Sequence, residues 1–88
     1  MTIDEIKNII RKDVPIYYRR VYTGIVVLEF AGRKQDITAD WTIETSPFGT
    51  KETTVNIIDK VDYPLVPLIK DIKKFIDELD ENGKMPPL

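Results

Sequence analysis

Apolar and polar side chains alternate with period two in three runs, Val21 to Phe30, Gln35 to Glu44 and Lys51 to Ile58. Such alternation sends successive side chains to opposite faces of a strand, so the runs predict a three-stranded antiparallel meander. A first turn centred on Gly32-Arg33 pairs Phe30 with Gln35, Leu28 with Ile37, Val26 with Ala39, Gly24 with Trp41 and Tyr22 with Ile43. Gly24 opposite Trp41 is physically sensible, because an indole can cover a bare glycine across a strand pair. The second turn, Ser46-Pro47-Phe48-Gly49, puts proline where φ near −65° is wanted and glycine where φ must be positive. It pairs Ile43 with Thr53, Trp41 with Val55 and Ala39 with Ile57. Both turns collect the apolar side chains Tyr22, Val26, Leu28, Phe30, Ile37, Ala39, Trp41, Ile43, Val55 and Ile57 on one face.

The flanks show a different spacing. Thr2-Ile3-Asp4-Glu5 has the form of a capping box, and Ile3, Ile6, Ile9 and Ile10 follow at helical intervals. The Val14-Pro15 step disfavours helix, so a first helix is predicted over roughly residues 3–12. Beyond Asp62-Tyr63-Pro64-Leu65-Val66-Pro67, the stripe Leu68, Ile69, Ile72, Phe75, Ile76, Leu79 predicts a second helix, stopped at Asn82-Gly83. The expected fold is therefore α+β in the order α-β-β-β-α, a two-layer sandwich with both helices on one face of the meander. Eighty-eight residues make one domain, with an ordered core over about 2–83 and a loose tail over 84–88.

The same register sets out the opposite face in rows: Val21, Glu44 and Glu52; Thr23, Thr42 and Thr54; Ile25, Asp40 and Asn56; Val27, Thr38 and Ile58; Glu29 and Asp36. Threonine suits a solvated sheet face. Two features do not: an apolar patch of Val21, Ile25, Val27 and Ile58, and like charges set opposite one another. Together they predict that this face meets a protein partner or a second copy of the chain. The expected contact residues are Val21, Thr23, Ile25, Val27, Asp40, Thr42, Thr54, Asn56 and Ile58.

Composition narrows the chemistry. The chain has no cysteine and no histidine, which removes disulfides, thiolate metal sites and the usual general base at neutral pH. Asp36, Asp40 and Glu44 stand about 13 Å apart along a strand, too far to share one ion. Glu78-x-Asp80-x-Asn82-Gly83 lacks room for the bidentate glutamate that closes an EF-hand loop. Ser46, the one serine, opens a turn with no base to activate it. No cofactor, metal or catalytic residue is expected. An amphipathic amino terminus and the lack of a long apolar run point away from a secretory signal or a membrane span and towards the cytoplasm.

Net charge is −2 but unevenly spread: residues 1–34 carry seven Lys/Arg against four Asp/Glu, and residues 35–88 six against eleven. The basic part holds Lys7, Arg11 and Lys12 on the expected first helix, Arg33-Lys34 at the hairpin, and Tyr17-Tyr18-Arg19-Arg20, where aromatics adjoin arginines. In an extended segment Tyr17 and Tyr18 point opposite ways, one of them inward. The α-β-β-β-α order, with Lys7, Arg11 and Lys12 on helix one and Arg33-Lys34 between the first strands, resembles that of double-stranded RNA-binding domains. The resemblance implies RNA contacts through those residues. The lysine cluster that opens the second helix in that family is missing, since Asp62-Tyr63-Pro64-Leu65-Val66-Pro67 stands there. Asp40, Glu44 and Glu52 on the open face would repel phosphate. A nucleic-acid binder using Lys7, Arg11, Lys12, Arg19, Arg20, Arg33 and Lys34 is thus the alternative to a protein-interaction module.

Overall fold

The computed structural model describes residues 1–87. Four strands, β1 (Thr2–Lys12), β2 (Arg19–Phe30), β3 (Arg33–Thr45) and β4 (Lys51–Ile57), precede one helix, α1 (Leu65–Glu81). The strands form one antiparallel sheet in the order β1-β2-β3-β4, with α1 packed on one face. The fold is α+β, but its order is β-β-β-β-α, which corrects the expected first helix into a fourth strand.

The correction has a local cause. In β1, Ile3 pairs with Leu28, Glu5 with Val27, Ile6 with Val26, Lys7 with Ile25 and Ile10 with Thr23. The register slips between Ile3 and Glu5 and again between Lys7 and Ile10. Each slip is a bulge, where an extra residue sits on one strand and resets which way its successors face. Asn8, inside the second, has φ of 53°, a conformation asparagine tolerates better than most residues. Two bulges convert a spacing of three into repeated arrival on one face. Ile3, Ile6 and Ile9 therefore all pack against the core. With no first helix, the order shared with double-stranded RNA-binding domains is lost, and the resemblance with it.

The β2–β3 hairpin also departs from expectation. Its loop is Ala31-Gly32, with φ of 52° and 76°, the doubly positive geometry of a type I′ turn that matches the strand twist. Phe30 pairs with Arg33, Val26 with Ile37, Gly24 with Ala39 and Tyr22 with Trp41. The shift is two residues, so every side chain keeps its predicted face. Trp41 still covers Gly24, on the diagonal: a Cβ on Gly24 would lie 2.7 Å from Trp41 Cη2. The β3–β4 pairing of Ile43 with Thr53, Trp41 with Val55 and Ala39 with Ile57 is the one predicted.

The core joins Tyr22, Val26, Leu28, Ile37, Ala39, Trp41, Ile43 and Val55 of the sheet to Leu68, Ile72 and Ile76 of the helix. Those helical residues recur every four positions, as one buried stripe requires. Tyr22 and Trp41 stack with ring centres 5.9 Å apart. The helix ends in a Schellman motif, in which the Lys84 amide donates to the Leu79 carbonyl and that of Gly83, at φ 69°, to Asp80. Of the expected tail, Met85 packs against the core margin and Leu88 lies outside the described residues. Among the described residues no helix is long and apolar enough to cross a membrane.

Candidate functional site

The open sheet face has a ceiling of charge that the sequence did not reveal. Because β1 is a strand, its outward residues Lys7 and Lys12 stand beside β2 on that face. Lys7 reaches over β2 to Asp36 at 3.5 Å, and Lys12 to Asp40 at 3.8 Å. Arg19 meets its cross-strand partner Glu44 at 3.0 Å. The bridges straddle the patch of Val21, Ile25 and Val27, and aliphatic lysine stems suit such cover. Val27 is only 4% exposed.

The other expected contact residues fall as follows. Val21, Thr23, Ile25, Asp40 and Thr42 are half-buried, Thr54 and Asn56 exposed, and Ile58 is 56% exposed beyond β4. The expected opposition of Glu29 and Asp36 does not occur. The two-residue register shift sets Glu29 against Lys34 and Asp36 against Val27. Glu44 and Glu52 do stand opposite one another.

The basic residues singled out from the sequence do not form one surface. Lys7, Lys12 and Arg19 are paired on the open face. Arg11 lies on the core side with its guanidinium 6.0 Å from the Tyr22 ring centre. Lys34 donates to Asp4 at 3.0 Å, and that carboxylate holds the ammonium above its ordinary pKa. Arg33 is exposed beside the hairpin turn.

Arg20 belongs to the helix side, where its two terminal nitrogens donate to Asp80 at 2.8 and 3.0 Å. Lys51 donates to the same carboxylate at 2.8 Å. The Arg20 hydrogen bonds, opposed by desolvation and aided by Lys51, hold Asp80 down at about 2. Thr53 donates to Asp77 at 2.6 Å, a further tie between β4 and α1. These contacts fix the last helical turns on the sheet.

At the Arg19 end of the open face the charge cover stops. An open groove of about 760 Å³ is lined there by Tyr17, Tyr18, Glu44, Pro47 and Glu52, with Thr45, Ser46 and Thr50 between them. The segment before β2 is bent, not extended, because the Arg19 amide bonds back to the Ile16 carbonyl at 3.2 Å. Neither tyrosine therefore points inward, against expectation. Tyr17 is 99% exposed and Tyr18 46% exposed, their rings edge-to-face at 5.8 Å. The Thr45 amide bonds the Tyr18 carbonyl at 2.9 Å and anchors that segment to β3.

The facing turn is rigid. Ser46 Oγ accepts from the Phe48 and Thr50 amides, both at 3.2 Å, and the Gly49 amide returns to the Ser46 carbonyl at 3.0 Å. This holds Phe48, 94% exposed, at the tip. None of the ion pairs among the described residues includes Glu52. The turn was legible in the sequence. Its meeting with Tyr17 and Tyr18 was not, since that depends on the bend at Ile16 to Arg19.

Among the described residues no three Asp, Glu, His or Cys side chains converge as a metal site. No curated protein and no solved structure matches the chain. A family model matches residues 1–81, which span all four strands and the helix: the chain belongs to the BB_0187 family.

Proposed function

We propose that the domain is a small interaction module that engages a protein partner at the Arg19–Glu44–Glu52 end of its open sheet face. The observation that carries this reading is a contrast along that face. Its middle is bridged by Lys7–Asp36 and Lys12–Asp40, while its end leaves Tyr17 and Phe48 almost wholly exposed beside an acidic pair. Exposed aromatics held on a rigid frame are the usual anchors of protein interfaces, because they add large contact area at small entropic cost. Among the expected contact residues, Thr42 and Thr54 lie nearest this end, one pair along the strands from Glu44 and Glu52. The reading keeps the protein in the cytoplasm, on the sequence grounds given above. Nucleic acid fits the site poorly, since Glu44 and Glu52 repel phosphate and most of the basic residues already hold carboxylates.

Site-directed photo-cross-linking in the native host tests the proposal. A photoreactive phenylalanine analogue at position 17 or 48 is expected to give a discrete adduct, and the same group at position 70 on the exposed helix side none. An adduct of twice the protomer mass identifies a second copy as the partner. No adduct from either position contradicts the proposal.

A further inference from the structure

We infer that the groove between Tyr17, Tyr18 and the Ser46 to Thr50 turn receives an arginine side chain, presented by an extended segment of the partner protein. The inference rests on the interaction reading and adds the chemistry that the partner must bring. Its first support is the wall of the groove. Two tyrosine rings meet at an interplanar angle of 86°, so they offer π-faces in two perpendicular directions. A guanidinium is planar and weakly hydrated, and stacks on such faces more readily than an ammonium does.

The second support is charge. Glu44 and Glu52 are directly opposed on β3 and β4. Arg19 supplies one cation, to Glu44, at 3.0 Å, and no ion pair of the described residues supplies another to Glu52. A like-charged cross-strand pair is unfavourable until neutralised. An incoming guanidinium against Glu52 completes an alternating array of two cations and two carboxylates. Its fork of donors also matches the carboxylate in two bonds, which a lysine does not do.

The third support is size and stiffness. A groove of about 760 Å³ exceeds what one side chain fills, so flanking backbone must enter with the arginine. Pro47 and the tyrosines suit an extended, proline-bearing stretch, which has little conformational freedom left to lose. The turn on one side and the Tyr18–Thr45 bond on the other are already in place, so the site need not reorganise on binding.

The test is an amide-detected NMR titration of the full chain with the peptide acetyl-Ala-Pro-Arg-Pro-Ala-amide. Its control carries citrulline, uncharged and nearly isosteric, in place of arginine. Saturable shifts are expected at the amides of Tyr17, Tyr18, Thr45, Ser46 and Glu52. The citrulline peptide, Glu52→Gln and Tyr17→Ala should each weaken binding about tenfold, the scale of one charge-assisted or stacking contact. Both substituted side chains project into solvent, and an unchanged melting temperature for each variant establishes that the fold survives. Equal binding of the two peptides, or no saturable shift up to about 10 mM peptide, a range that reaches well past millimolar affinity, overturns the inference. If the cross-link at position 17 still forms under that outcome, the interaction reading stands without the arginine. If it does not, both fall.

Discussion

β1 and α1 carry apolar residues at similar spacing and fold in opposite ways. α1 repeats the pattern over six positions, Leu68, Ile69, Ile72, Phe75, Ile76 and Leu79, with good helix formers between them and a left-handed glycine at its end. β1 repeats it over Ile3, Ile6, Ile9 and Ile10, all β-branched, in a stretch too short to nucleate a helix cheaply. Beside it lies β2, whose outer edge would otherwise be an unpaired ladder. Pairing satisfies that edge, and two bulges keep Ile3, Ile6 and Ile9 on the core. The comparison shows that a spacing of three predicts a shared face, not the backbone that delivers it.

The largest expected effect separates the two elements directly. Ile72→Ala removes a fully buried side chain between helix and sheet and should cost about 3 kcal/mol, whereas Ile6→Ala, half-buried on an edge strand, should cost about 1. Chemical denaturation reads both. Equal losses would mean that β1 is as deeply embedded as α1, and would break the comparison.

Next in size is Gly24→Ala. The new methyl would press on Trp41 Cη2 at 2.7 Å and Cζ3 at 3.1 Å, with Ile9 Cγ1 of β1 at 3.4 Å. Overpacking there should cost about 2 kcal/mol. Combining it with Trp41→Leu should recover part of that loss, because the two changes share one space. Strict additivity would show that the indole does not occupy the glycine's place.

The third concerns the tie that α1 has and β1 lacks. Asp80 titrates at about 2 in the fold against an ordinary value of 3.8. Its contribution is therefore complete above the unfolded value and is lost as pH falls through the folded one, a window between about 5 and 2. Asp80→Asn should lower stability by about 2 kcal/mol at pH 7, and the difference from the parent should shrink across that window. A difference that stays constant down to pH 2 would remove the Arg20–Lys51–Asp80 cluster as its source.

The smallest effect is a change of sign. At a φ of 53°, Asn8→Gly should be neutral or stabilising by a few tenths of a kcal/mol, and Asn8→Ala should cost about 1. A helical residue 8 would reverse the order, because alanine is the best helix former and glycine among the worst. Thermal melts of the two variants decide between them.

Much of the fold was legible where the signal was local. Pro47 and Gly49 fixed the β3–β4 register, and Asn82-Gly83 fixed the end of α1. The β2–β3 loop was misplaced by two residues because Ala31 at positive φ is an unusual occupant of a type I′ turn, yet parity preserved both faces. The bulges of β1 have no comparable signature: neither Asp4 nor Asn8 announces a slip in a register set by β2. The candidate site followed suit. Its turn could be read from residues 46–49, and the opposed Glu44 and Glu52 from the register that turn sets. Tyr17 and Tyr18 joined them only through the bend in the chain before β2, and the charge cover on the rest of the face depended on β1 being a strand.

That last dependence makes the state of residues 2–12 the point on which fold and site both turn. Backbone-assigned NMR of the intact protein settles it. The structure requires extended Cα and Cβ shifts through Thr2–Lys12, with cross-strand contacts from Glu5 to Val27 and from Ile10 to Thr23. Helical shifts with sequential amide–amide contacts over residues 3–12 would contradict it, and would take Lys7 and Lys12 off the open face.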